Sequence, residues 1–128
     1  MTLKYPCVCC GWLTMDEPPG SYQICPLCFW EDDAIQLRWP DYSGGANRPS
    51  LIEAQANYQV LGACEERAVE LVRPPLEDEA RDLSWRRIDP ARDRFEPGGI
   101  ALAAWPEDRT VLYWWRYRNT GFWRPGAG

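Results

Sequence analysis

The sequence predicts an α+β fold, and three observations carry that prediction. Two Cys-x-x-Cys pairs, Cys7 with Cys10 and Cys25 with Cys28, stand near the start with fourteen residues between them. A helix-start signature, Ser50-Leu51-Ile52-Glu53, follows, and two apolar, aromatic-rich runs lie in the last third. The expected architecture is a small cysteine-stapled N-terminal part, one capped helix and a C-terminal β-hairpin.

The cysteine spacing is that of a structural zinc site. A Cys-x-x-Cys turn curls so that both sulfurs face one point, and two such turns supply the four ligands of a closed tetrahedral shell. Gly11 directly after Cys10 suits the left-handed backbone that a tight metal turn needs. Pro26 inside the second pair presets φ for that turn. The second pair is followed by Phe29 where the first has glycine. Disulfides belong to oxidising compartments, and Met1 to Pro6 form no apolar signal stretch. A redox Cys-x-x-Cys is expected once, near a βαβ pattern. One structural Zn²⁺ held by Cys7, Cys10, Cys25 and Cys28 is therefore the expected cofactor, in a zinc-ribbon-like N-terminal part. Cys9 and Cys64 are left over: Cys64 reads as a small buried apolar residue, and Cys9, inside the first turn, as an exchangeable ligand or an oxidation-sensitive thiol.

Three segments taken in order, Tyr5-Pro6-Cys7-Val8-Cys9-Cys10-Gly11, Ile24-Cys25-Pro26-Leu27-Cys28-Phe29-Trp30-Glu31-Asp32-Asp33 and Asp41-Tyr42-Ser43-Gly44-Gly45-Ala46-Asn47-Arg48, resemble the bacterial cysteine-rich CPCC family. The resemblance spans about residues 4 to 75 and departs at Val8, where the family name implies proline. It implies a zinc-binding bacterial domain and no particular activity. Two regions are expected on this basis: residues 1–75 as the cysteine-rich domain, and residues 76–128 as an extension packed on it.

Within the first region, residues 1 to about 49 read as irregular, metal-stapled chain, turned at Pro18-Pro19-Gly20 and again at Ser43-Gly44-Gly45-Ala46-Asn47. Ser50 and Glu53 form a capping box. Leu51, Ala54, Tyr58 and Leu61 follow at helical spacing, and Gly62 is a plausible stop. After Arg73-Pro74-Pro75 the chain reads as a short charged helix or a loop up to Trp85, then breaks at Asp89-Pro90 and Pro97-Gly98-Gly99. Ile100 to Trp105 and Thr110 to Tyr117, joined by Pro106-Glu107-Asp108-Arg109, read as the two strands of the hairpin.

The chain has 128 residues, within the one-domain range, and contains no histidine. That absence removes Ser/His/Asp and Cys/His nucleophilic machinery and the Cys/His zinc deaminase arrangement, so the protein is expected not to be an enzyme. Glu77-Asp78-Glu79 reads as a solvated face; Glu31-Asp32-Asp33, directly after the second cysteine turn, does so less clearly. Residues 1–66 hold three basic and nine acidic side chains, and residues 67–128 hold eleven and ten. So acidic a first half repels a nucleic-acid duplex, whose affinity for proteins is dominated by phosphate neutralisation.

These features point to a cytoplasmic protein without a membrane segment that works by binding another protein. The sharpest form is an immunity protein, or antitoxin, whose acidic face steers it onto a basic toxin. Glu31, Asp32, Asp33 and Asp41 are the expected contacts. The alternative is single-stranded nucleic acid held by the C-terminal arginines and aromatics, Arg109, Arg116, Arg118 and Arg124 interleaved with Tyr113, Trp114, Trp115, Tyr117, Phe122 and Trp123. A hairpin core made of the same aromatics competes with it.

Overall fold

Each cysteine pair closes a tight turn, and the only strands among the described residues grow from the first of them. The computed structural model describes residues 4–96, 98–101 and 103–116. Strand β1 (Tyr5–Pro6) leads into the Cys7 turn and β2 (Leu13–Met15) leaves it. They pair antiparallel, Tyr5 opposite Met15 and Pro6 opposite Leu13, with an irregularity between the two pairs. The free edge of this ribbon does not face solvent: the Leu13 N–H donates to the Ala80 carbonyl at 2.8 Å, and Trp12 bridges antiparallel to Arg81.

After the second cysteine turn the chain forms a short helix that sequence reading missed. Helix α1 (Ala34–Arg38) starts where the Asp33 carboxylate accepts from the Ile35 N–H at 2.8 Å. Four of its five residues, Ala34, Gln36, Leu37 and Arg38, are buried, so it has no polar face to give it a helical pattern.

Helix α2 (Leu51–Leu61) begins at the expected capping box: the Glu53 N–H donates to Ser50 Oγ at 3.1 Å, and the Ser50 N–H to Glu53 Oε1 at 2.9 Å. It stops at Gly62, in the left-handed region at φ 75°. Leu51, Ala54 and Gln55 are buried and Tyr58 is half-buried, whereas Leu61, expected on the same face, is exposed. At 100° per residue Leu61 lies about 80° around the helix from Leu51, beyond the edge of the packed stripe. The chain then returns through a 3₁₀ segment (Glu66–Leu71).

The expected C-terminal hairpin is overturned over the described residues. Asp108 Oδ1 accepts from the Thr110 N–H at 3.0 Å and closes a 3₁₀ turn (Arg109–Leu112). A further turn winds Tyr113, Trp114 and Trp115 inward. Leu112, Tyr113, Trp114 and Trp115 are 3%, 1%, 5% and 3% exposed. A strand would send alternate side chains to opposite faces; the wound backbone delivers four consecutive apolar groups to one core. Tyr113 stacks on Trp115 with centroids 4.4 Å apart, and Trp114 meets Trp85 and Trp115 edge to face. Tyr117 and the rest of the aromatic tail lie outside the described residues.

Residues beyond 75 pack into the same core as the cysteines, which includes Trp85, Ile88 and Leu112 to Trp115. A second tether is the fully buried pair in which Arg38 donates to both carboxylate oxygens of Glu96, at 2.5 and 2.9 Å. Breaking a buried pair of this kind costs about 3–5 kcal/mol, because it leaves a charge behind in the interior. Among the described residues no helix is long and apolar enough to cross a membrane.

Candidate metal centre

The two cysteine turns have the same backbone. In the first, the Gly11 N–H donates to the Cys7 carbonyl (2.7 Å) and the Cys7 N–H to the Trp12 carbonyl (2.8 Å). In the second, Phe29 N–H to Cys25 carbonyl (2.8 Å) and Cys25 N–H to Trp30 carbonyl (2.9 Å) repeat both bonds. The residue after each second cysteine takes a positive φ, 82° at Gly11 and 71° at Phe29. The repeated geometry aims both sulfurs of each turn at a shared point.

The four sulfurs of Cys7, Cys10, Cys25 and Cys28 lie within 4.8 Å of one another, and all four residues are buried. Sγ of Cys7 is 3.6 Å from that of Cys28, and Cys10 is 3.8 Å from Cys25. A tetrahedral centre with metal–sulfur bonds of about 2.3 Å has sulfurs about 3.8 Å apart, so the cage fits a thiolate-bound ion. Both of these pairs run between the turns, as a single ion shared by two turns would require.

Burial raises the thiol pKa of Cys7 and Cys28, and the shared hydrogen bond with Cys25 raises that of Cys10. Cys25 is driven the other way by hydrogen bonds from Cys10, Cys28 and Cys7. Four negative sulfurs do not share a dry site unaided, so a bound cation would be needed for all four to ionise together. Two further donors aim at Cys25, the Thr14 hydroxyl at 3.2 Å and the Leu27 N–H at 3.4 Å. Sequence spacing does not single out Thr14; its role comes from β2 running back past the second turn.

The two remaining cysteines are also buried. Burial pushes the Cys64 thiol up to about 12, and its backbone N–H caps the second turn at the Cys28 carbonyl, 2.7 Å away. Val8, in place of the implied proline, is 2% exposed, and its carbonyl accepts from Gln55 Nε2 (3.0 Å) and Trp85 Nε1 (3.2 Å).

The structure separates the four acidic residues expected at a partner surface. Asp32 and Asp33 are 4% and 3% exposed. Asp32 Oδ2 accepts from the Gly20 and Ser21 N–H groups, both at 3.1 Å, and from the Ser21 hydroxyl at 2.8 Å. Burial raises its pKa against those bonds. Asp33 caps α1 and also accepts from the Ala46 N–H at 2.9 Å. Glu31 is half-buried and Asp41 exposed. Glu77 and Asp78 are exposed, as a solvated face requires, while Glu79 pairs with Arg73 at 2.7 Å. Of the arginine and aromatic set, Tyr113, Trp114 and Trp115 are committed to the core, with both indole N–H groups donating, to the Arg86 carbonyl and to Asp82. Arg118, Phe122, Trp123 and Arg124 lie outside the described residues.

Comparison with curated proteins finds no match. The sequence model of the cysteine-rich CPCC family matches residues 5–79, which contain both cysteine turns and make up more than half of the 128 residues. With the four-sulfur cage inside that segment, the chain belongs to the cysteine-rich CPCC family.

Proposed function

We propose that the protein is a zinc-binding, non-catalytic module that acts by binding another protein, with an immunity (antitoxin) role as its most specific form. The observation that carries the first half is the closed cage: four sulfurs, each from a residue no more than 1% exposed, leave no ligand position for substrate. Tetrahedral four-sulfur sites take zinc or iron. Native mass spectrometry of the purified chain is expected to count one zinc, with no visible absorption from iron. A metal-free chain with paired cysteines would overturn the reading. The six unpaired thiols support a cytoplasmic setting.

The second half rests on charge. Residues 1–66 remain strongly acidic, but Asp32 and Asp33 are engaged in backbone bonds, so the proposed steering face centres on Glu31 and Asp41. Against an identified basic partner, joint reversal to Glu31→Lys and Asp41→Lys is expected to slow association about tenfold or more at low salt. An unchanged, salt-independent rate sinks the antitoxin reading and leaves the metal reading standing.

A further inference from the structure

The first cysteine turn is covered by residues that the family segment does not contain. Trp85 lies flat against Gly11, so that a Cβ placed on Gly11 would stand 2.6 Å from its ring. The Trp85 indole N–H donates to the Val8 carbonyl at 3.2 Å. The Asp82 N–H donates to the Gly11 carbonyl at 2.8 Å, and the Ile88 N–H to Gln55 Oε1 at 2.9 Å, whose amide in turn holds Val8. Ala80 and Arg81 close the edge of β2 as described. Every one of these bonds ends on the stretch from Val8 to Leu13, which holds the first turn and the start of the strand leaving it, or on the Gln55 side chain that props Val8. The segment that makes them, residues 80–88, begins where the family match ends at 79.

We propose that residues 80–88 are a latch on the metal centre, so that their docking and metal retention are one linked equilibrium. The inference rests on the metal reading above and adds its regulation. The backbone of the first turn is held from the inside by two sulfur–metal bonds and from the outside by the latch. Partners that bond to the ligands themselves typically change metal affinity 10- to 100-fold when removed, and the latch acts one step further out, on the backbone of Val8 and Gly11. Linkage is reciprocal: whatever strengthens metal binding when the latch is docked must strengthen docking when metal is bound. A partner that draws residues 80–88 away therefore loosens the metal, and metal loss uncovers Trp85 and the Trp114 ring that meets it edge to face.

The test uses the full chain loaded with Zn²⁺ and measures the rate of zinc transfer to a chromophoric chelator. Trp85→Ala is expected to speed transfer about tenfold or more. Trp85→Phe, which keeps a ring over Gly11 but removes the donor to Val8, is expected to fall in between and keeps the test valid where the alanine variant does not fold. Val60→Ala, at an 83% exposed position, serves as the control and is expected to change the rate less than twofold. In the wild-type chain, chelation is expected to speed hydrogen exchange at the Asp82 and Ile88 amides. Equal rates for Trp85→Phe and Val60→Ala, or protection of those amides that survives metal removal, overturn the latch. A chain that carries no metal at all overturns the metal reading with it, and native mass measurement distinguishes the two failures.

Discussion

At the first cysteine turn Gly11 takes φ 82°, and at the second Phe29 takes φ 71°. Glycine reaches that region freely, whereas phenylalanine pays roughly 1–2 kcal/mol there. Since the two backbones match bond for bond, the dihedral alone does not explain why one position is glycine. What differs is the cover. Trp85 lies directly on Gly11 and leaves no room for a Cβ, while the Phe29 side chain packs against the core and its burial offsets the strain. The shared turn geometry sets φ at both turns, and the neighbour above each turn selects the residue.

The covers also come from different stretches of chain. Cys64 and Arg73 donate backbone N–H groups to the Cys28 and Pro26 carbonyls, at 2.7 and 3.3 Å, from inside the family segment. The first turn is covered by residues 80–88 from outside it. The second turn is therefore closed from within the family segment, and the first by Gln55 of that segment together with this chain's extension.

The largest expected effect tests what the turns share. Cys7→Ser and Cys25→Ser each remove one ligand from opposite turns, and both are expected to abolish stoichiometric zinc and, with it, stabilisation on the order of 10 kcal/mol. Native mass and thermal unfolding check this; one turn retaining metal without the other would break the equivalence. Next comes the asymmetry. Gly11→Ala adds strain and a clash with Trp85 and is expected to cost about 2–5 kcal/mol in denaturant unfolding of the metal-loaded chain. Phe29→Gly exchanges strain relief for lost burial and is expected to stay within about 1 kcal/mol. Similar values for the two would remove close approach as the reason for the glycine.

Gln55→Leu sharpens the comparison from the side of the first turn. It takes one donor from Val8 and the only side-chain acceptor of the Ile88 N–H, at an expected cost of about 1–3 kcal/mol. The smallest effect belongs to the cover of the second turn, where the Arg73 ion pair holds the Glu79 carboxyl down at about 2. A depressed carboxylate stabilises the fold above its unfolded pKa of about 4.3 and loses that contribution as pH falls toward its folded value. Glu79→Gln is therefore expected to be slightly less stable than wild type at pH 6 and to converge with it by about pH 2, with surface exposure keeping the difference small. A difference that grows on acidification would reverse the assignment.

The elements that could be read from sequence are those whose information is local. The four-sulfur cage follows from a spacing of three within each turn, and α2 follows from Ser50, Glu53 and Gly62, which bond to backbone no more than four residues away. Helix α1 escaped because it buries the polar Gln36 and Arg38 and exposes the apolar Ile35, the reverse of a helical pattern. The acidic run Glu31-Asp32-Asp33 reads as a surface, yet two of its carboxylates serve N–H groups at Gly20, Ser21, Ile35 and Ala46. The C-terminal aromatics read as strands because period and composition suit them; their partners are the Arg86 carbonyl and Asp82, 28 and 33 residues away.

By itself, the sequence determined the four-sulfur site, the capped helix, the family and the exclusion of histidine chemistry, since each is written in residue types at fixed short separations. Tertiary structure alone decided where residues 80–116 go. The bond from Trp85 to Val8 spans 77 residues and the pair of Arg38 with Glu96 spans 58, and no local pattern announces a partner at that distance. It is the packing of one crowded aromatic core, and the need of its buried polar groups for partners, that turns an extension into the cover of the first cysteine turn.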